Sequence, residues 1–448
     1  MVFKFLRYIK PIWYFNLKPF RDFSYFPLEE TLKKQGFSLD RDLGYKNLEA
    51  QNLDLAWRAF QVGFISNSEE EGIDVWKKTE LPIQDEYRFL RKNFHKAWNV
   101  YVLFIRLITL KNPFNEIAGF LKSRKVKRED YSKNSIEYKE YEAFDSELIQ
   151  EKPMISVIIP TLNRYEYLKD VFKDLENQTY KNFEVIVVDQ TDDFRADFYE
   201  GWNLDLHYWF QEEKALWKAR NEAIKFSKGE YVLLYDDDSL VENNWIEEHL
   251  KTLDFFKADL SSGVSISLVG AQVPLHYSYF RWSDQLDTGN VLIKKSIFKA
   301  IGLFDRQFEK QRMGDGEFGL RAYLAGYKNI SNPKAKRIHL KVSQGGLRQM
   351  GSWDELRPKK IFASRPIPSV LYLFRKYFGN KNAFQEGIKM ASYSFIPYKY
   401  KGDSKKRVFF MLITLLVFPL VIYTFSKSWS KSSKMLNSKK YANELFDI

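Results

Sequence analysis

The sequence predicts an α/β chain built on a doubly wound, mostly parallel sheet. Two observations carry this. Between residues 153 and 345, short β-branched apolar runs alternate with segments of helical period. Each run also ends in polar or acidic residues, where sheets of this kind bind ligands at the carboxyl ends of their strands.

The first run, Met154 to Ile159, is stopped by Pro160 and followed by Thr161, Asn163 and Arg164. Helical spacing then covers Tyr165 to Gln178. The second run, Phe183 to Val188, ends at Asp189, with Asp192 close behind. A helix is expected over Ala215 to Ser227, and a third strand, Tyr231 to Tyr235, runs into Asp236-Asp237-Asp238. A further short strand, Ala335 to Ile338, precedes His339.

The flanks differ from this core. Residues 1–132 contain helix-like stretches such as Leu28 to Lys34 and Glu86 to Leu110, and 133–152 reads as a polar linker or exposed helix. Residues 346–448 are helical and basic, with one uncharged apolar run at 408–425. At 1.5 Å per residue that run spans about 27 Å, slightly under a hydrocarbon core of about 30 Å. Lysine and arginine stand on both sides of it, which favours an in-plane or re-entrant helix over a span, with a buried core helix as the third option. The N-terminus lacks the apolar stretch and small-residue cleavage site of a signal peptide.

Composition narrows the chemistry. A chain of 448 residues that is 45% hydrophobic builds a core larger than one ordinary domain. It has no cysteine, which excludes disulfides, zinc-thiolate sites and thiol nucleophiles. Its net charge of +12 suits a polyanionic partner, whether nucleic acid, anionic lipid or phosphate.

Four places carry candidate chemistry. Three adjacent carboxylates repel one another unless a cation neutralises them, and oxygen ligands suit Mg2+ or Mn2+; a solvated helix cap is the alternative. Asp189 either accepts from the N3–H of a uracil or thymine ring or caps a turn. Arg220 lies on the helix before the aspartates, within reach of a diphosphate, although surface arginines are common on helices. In Gly314-Asp315-Gly316-Glu317 two acids open a helix, where the dipole favours them, while the glycines permit close approach of the backbone to a ligand.

Together these segments resemble the family-2 glycosyltransferases. Pro160 to Arg164, Val188-Asp189, Ala219-Arg220-Asn221, Asp236 to Asp238 and Gly314 to Glu317 occur in that family's order and spacing. So do Thr288 to Ile293 and Ile301 to Asp305, and the likeness covers roughly 154–339. The resemblance implies a Rossmann-like GT-A core at 153–345 and inverting transfer from a nucleotide-sugar, UDP-linked first. It implies a glycan or lipid-linked acceptor and no nucleic-acid partner. By the same resemblance Thr161, Asn163, Arg164, Asp189, Arg220, Asp236 and Asp237 line the nucleotide-sugar. Asp238 binds Mn2+ or Mg2+, with His339 as a second ligand or a structural histidine. Asp315 is the general base, with Glu317 as a second candidate or an acceptor contact. Apart from the resemblance, Trp282 in the loop 270–287 either stacks on the acceptor sugar or belongs to the core.

Some positions depart from the family. Ala215 and Ala223 replace usual glycines, Asp189-Gln190-Thr191-Asp192 stands for Asp-Asp-Gly-Ser, and Gly314 replaces a glutamate before Asp315. A nucleotidyltransferase is disfavoured by the glycine-free loop Pro160 to Arg164, and a processive synthase by the absence of Gln-x-x-Arg-Trp after Asp315. A scaffold that has lost catalysis is the remaining alternative. The expected place of work is the cytoplasmic face of a membrane, reached peripherally or through 408–425.

Overall fold

The structure is a computed structural model describing residues 1–66, 72–77, 79–268, 273–284, 286–342, 346, 358, 360–397, 400, 406, 409–410, 413–414, 416–438 and 440–447. Its centre is a nine-stranded mixed sheet. The strands are β1 (Ile155–Thr161), β2 (Phe183–Asp189), β3 (Leu206–Phe210), β4 (Tyr231–Tyr235), β5 (Ser239–Val241), β6 (Leu260–Ser267), β7 (Arg281–Trp282), β8 (Asn290–Lys294) and β9 (Asn329–His339). Their order is β3-β2-β1-β4-β8-β6-β9-β5, with β7 against β9.

The chain is α/β, as expected, and its first half is parallel: β1 pairs with β2 and β4, and β2 with β3. The second half adds antiparallel pairs β4–β8, β6–β8, β5–β9 and β7–β9 around the parallel pair β6–β9. The parallel half is buried on both faces, which is why β1, β2 and β4 read as continuous apolar runs. Pro160 does not stop β1, which continues to Thr161 beside Asp189. Pairing with β4 has ended at Ile158, so the missing proline N–H leaves no ladder bond unmade on that side.

The helices are α1 (Leu6–Ile9), α2 (Glu29–Lys34), α3 (Leu48–Gln61), α4 (Ile83–Asn93), α5 (Lys96–Ile108), α6 (Pro113–Ser123), α7 (Glu140–Ala143), α8 (Glu147–Glu151), α9 (Tyr165–Glu176), α10 (Leu216–Phe226), α11 (Trp245–Phe255), α12 (Lys295–Ile301), α13 (Gly314–Leu324), α14 (Pro368–Tyr393) and α15 (Phe418–Asn437). The stretch expected as one helix over Glu86 to Leu110 breaks at Phe94, and the His95 imidazole caps α5 by accepting from the Ala97 N–H at 3.3 Å.

The flanks are continuous with the core. Residues 133–152 are not a free linker: buried Tyr141 donates to Glu248 on α11 at 2.9 Å, and Ser146 donates to Asp254 at 2.8 Å. The N-terminal region packs on β7 and α13 through Tyr25 against Trp282, Tyr323 O–H on the Leu17 carbonyl, and Tyr14 O–H on the Gly316 carbonyl.

The expected membrane-associating run at 408–425 falls partly outside the described residues. Its last part opens α15, whose Val421 and Phe425 are buried. A Cβ at Gly387 of α14 would lie 2.8 Å from the Phe425 ring, so the two helices meet closely. Among the described residues no helix is long and apolar enough to cross a membrane, and an anchoring α15 is not supported.

Helix α14 is pinned to α13 through Glu317. That fully buried carboxylate accepts from Arg321 at 2.9 Å, from Lys376 at 3.0 Å and from the Tyr377 hydroxyl. Burial pushes the Glu317 carboxyl up, and Arg321 and Lys376 overcome that and hold it below its ordinary range. Glu317→Ala strands two cations and is expected to cost about 3 kcal/mol. Urea unfolding checks this; an unchanged midpoint would remove Glu317 as the pin.

Candidate active site

The polar ends of β1, β2, β4 and β9 converge, as open α/β sheets require of a site. Thr161 and Asp189 sit side by side in the β1–β2 register, both fully buried. After β1, Asn163 takes a left-handed φ of 56° and fastens the neighbouring loop. Its N–H donates to Thr191 Oγ1 at 2.9 Å, its Nδ2 donates to Asp192 at 2.9 Å, and its Oδ1 accepts from the Asp192 N–H at 3.0 Å. Asp189 accepts from the Thr191 N–H at 2.8 Å, the Tyr165 hydroxyl at 2.6 Å and the Tyr199 hydroxyl at 2.8 Å. Of the two roles expected for Asp189, this geometry is that of the turn residue.

The triple aspartate is expected to need a neutralising cation, and three guanidiniums supply positive charge to it in the structure. Arg220, buried on α10, donates to Asp236 at 3.0 Å and to the Thr288 carbonyl at 2.8 Å. Arg337, buried on β9, donates to the other Asp236 oxygen at 2.8 Å and to Asp287 at 2.9 Å. Arg164 donates to Asp237 at 2.8 Å and lies 3.2 Å from Asp238. Thr161 also donates to Asp237, at 2.8 Å. Asp237 is thereby an internal brace, while Asp236 is held between two arginines.

His339 closes the site. Its Nε2 lies 3.3 Å from Asp238 Oδ1. One ligand atom each from Asp236, Asp238 and His339 falls within 4.8 Å of the others, so this trio can hold a metal ion. Two carboxylates with one imidazole make a donor set that suits a divalent cation such as Mn2+. The trio exists because β9 is irregular. Its register against β6 jumps from Gly263↔Asn332 to Val264↔Lys336, and this bulge turns Arg337 and His339 toward the aspartates.

Asp315 lies in the first turn of α13, half-buried, accepting from the Gly316 N–H at 2.8 Å. Helix α13 is tied to the aspartates by packing. A Cβ at Gly314 would lie 2.4 Å from the Trp217 ring. The Arg220 guanidinium lies over that ring, 5.4 Å from its centroid, while holding Asp236. Gly289 is constrained likewise: a Cβ there would lie 2.2 Å from both Asp236 and Arg337.

Two expected acceptor residues are elsewhere. Glu317 is the buried pin beneath α14, and its oxygens are committed to Arg321, Lys376 and Tyr377. Trp282 is 1% exposed, with Tyr25 4.5 Å away and Lys328 over its face, so it is core. Conversely, Arg337, Trp217 and Asp287 were not foreseen. Alternation along β9 was the available signal for Arg337, which shares a face with buried Ala335 and with His339.

Burial pushes the Asp237 carboxyl up to about 6, against the pull of Arg164. Its folded value lies above the ordinary 3.8, so across that interval the folded chain binds more protons than the unfolded one. This group's contribution to stability therefore falls as pH rises from about 4 to about 6 and is level above that. Asp237→Asn is expected to remove this component from a melting-temperature profile; a profile of unchanged slope would contradict the assignment.

Known proteins resemble this chain in sequence. The sequence profile described as glycosyl transferase family 2 matches residues 156–304. Glycosyltransferase GlyG of Streptococcus pneumoniae is 30% identical over 235 residues, which are 51% of this chain and 72% of that protein. The putative glycosyltransferase EpsH of Bacillus subtilis is 30% identical over 235 residues, covering 48% of this chain and 66% of its own length. Glycosyltransferase GlyA of S. pneumoniae is 27% identical over 166 residues, and there the chain spans only 22% of the relative. Two solved structures are similar. TarS 1–349 of S. aureus with UDP-GlcNAc is 19% identical with a TM-score of 0.43, covering 62% of this chain and 81% of that one. A mannosyltransferase of Pyrobaculum calidifontis with GDP-Man and Mn2+ is 15% identical with a TM-score of 0.43, covering 67% and 93%. Profile, relatives and site together place the chain in glycosyl transferase family 2.

Proposed function

We propose that this protein is an inverting glycosyltransferase. It moves a sugar from a nucleoside diphosphate, UDP favoured, to a hydroxyl of a glycan or lipid-linked acceptor at the cytoplasmic face of a membrane, in cell-surface polysaccharide or glycolipid synthesis. The observation that carries the proposal is the convergence of Asp236, Asp238 and His339, to which the helix start bearing Asp315 is linked through Trp217 and Arg220.

The chemistry is a single displacement. Asp315 takes the proton of the acceptor hydroxyl, the acceptor oxygen bonds to the anomeric carbon, and the bond from that carbon to the diphosphate oxygen breaks on the opposite face. Configuration inverts because no covalent sugar–enzyme species forms. A divalent cation on Asp238, His339 and Asp236 would supply positive charge to the departing diphosphate. Arg164 lies next to Asp238 and offers a fixed positive charge on the same side. UDP is favoured on the family resemblance alone, since both Asp189 oxygens serve the turn.

A general base contributes about 10²–10⁴-fold. Asp315→Asn is therefore expected to lower transfer by at least about 100-fold while donor affinity stays near that of the parent. Retained turnover would remove Asp315 as base. Asp238→Ala is expected to abolish the part of nucleoside-diphosphate binding that depends on manganese. Calorimetry with and without the ion reads this directly, and equal affinity for both proteins would remove the metal role. Slow donor hydrolysis by the parent separates an enzyme from a scaffold that only binds.

A further inference from the structure

Helices α5 and α6 form a hairpin whose inner face mixes apolar packing, with Val102 buried and Phe120 against Tyr87, with polar contacts, and whose outer face is apolar. Its buried polar contacts include Arg106 with Glu116 at 2.5 Å, Tyr87 O–H donating to Glu116 at 2.9 Å, and Asn99 donating to Ser123 at 3.1 Å. The apolar residues face the other way. On α6, Phe114, Ile117 and Leu121 lie at the spacing that normally marks a core-facing stripe, yet they are 82%, 43% and 49% exposed. On α5, Val100, Phe104 and Ile108 continue the exposed apolar surface at spacings of four. The turn between the helices adds Leu110, also exposed.

The charge around this stripe has one sign. From Arg91 to Arg128 there are ten lysines and arginines against one acid, Glu116, which is buried and paired with Arg106. The exposed cations sit at the ends of the stripe: Lys111 at the turn, and Lys96, Lys122, Arg124, Lys125, Lys127 and Arg128 where α5 begins and α6 ends. Arg91, His95 and Lys96 share a shallow cleft with Arg124, Lys125 and Arg128. An exposed apolar stripe about 20 Å long, rimmed by cations, matches an anionic bilayer, with acyl chains beneath the stripe and phosphate headgroups at its ends.

We infer that the α5–α6 hairpin is the surface by which this protein lies on a membrane rich in anionic lipid. This deepens the membrane part of the proposed function, and it moves that role from the C-terminal run to the N-terminal region. The hairpin packs on α4 and the N-terminal segment, through Tyr87 against Phe120 and Arg106 over Phe5, and also meets the C-terminal end of α14, where the Lys389 ammonium lies over the Trp98 ring, 5.6 Å from its centroid.

The test is co-sedimentation of the full-length protein with vesicles of phosphatidylglycerol and phosphatidylcholine, and with phosphatidylcholine alone. Binding to the anionic vesicles, weakened by salt, is expected. The variant Phe114→Ser/Ile117→Ser/Leu121→Ser changes only exposed positions. It should lower partitioning by about ten-fold or more with unchanged melting temperature and donor hydrolysis. Arg124→Gln/Lys125→Gln/Lys127→Gln/Arg128→Gln should lower it as well and flatten the salt dependence. Three outcomes overturn the inference: a parent that ignores anionic vesicles, a serine variant that binds them equally, or a serine variant that changes from dimer to monomer while vesicle binding persists. If vesicle binding follows the expectation but no variant or parent hydrolyses a donor, the transferase proposal fails and the docking surface stands.

Discussion

The site rests on compensation of like charges. Two carboxylates about 4 Å apart at an effective dielectric of 20 repel by about 4 kcal/mol, and here Asp236, Asp237 and Asp238 are consecutive. The fold meets this with one arginine from each of three places: Arg164 after β1, Arg220 on α10 and Arg337 on β9. With Asp287 on Arg337, four carboxylates face three guanidiniums, so the ionised cluster keeps one negative charge in excess. Such a cluster is neutralised in part by its own arginines and could also hold an ion. A divalent cation arriving with a diphosphate would leave the charge near balance, whereas a bare diphosphate would not.

The second half of the sheet exists to complete this cluster. Strand β8 runs antiparallel to β4 with Asn290 opposite Tyr235, which sets Thr288 and Gly289 against Asp236. Asn290 then holds three elements together. It donates to the carbonyls of Val264 on β6 at 3.3 Å and Ala335 on β9 at 2.9 Å, and accepts from Trp245 on α11 at 2.9 Å. The bulge in β9 is fixed at Ala335, two residues before Arg337. One buried amide thus sets the point at which β9 re-aims its side chains.

The parallel half and the aspartates were legible because local rules govern them: β-branched runs make buried strands, and the acids stand where those strands end. Arg337 was harder to read, because it shares the inward face with Ala335 while the apolar Ile338 beside it is the residue that hydropathy would turn inward. The arginine points inward, and Ile338 is 37% exposed. Only the partners on other elements, Asp236 and Asp287, make that arrangement favourable. Trp282 and Glu317 were misplaced for a related reason. Their covering residues, Tyr25 and Lys376, come from segments far along the chain, and no periodicity within 281–324 announces them.

These distant covers also explain why the flanks belong to the site. Helix α13, which bears Asp315, is held on one side by the Tyr14 hydroxyl on the Gly316 carbonyl and on the other by Lys376 and Tyr377 on Glu317. Removing the C-terminal flank would leave the buried carboxylate of Glu317 facing water within a turn of the proposed base, and removing the N-terminal one would uncover Trp282 and free the Gly316 carbonyl. A base must hold its position to a fraction of an ångström to keep its advantage. Contacts from both flanks thus cross the boundaries expected at 153 and 345. The N-terminal region that reaches Gly316 also carries the apolar hairpin, and α14 touches both Glu317 and Trp98. One continuous body therefore links the exposed apolar surface to the helix that presents the carboxylate.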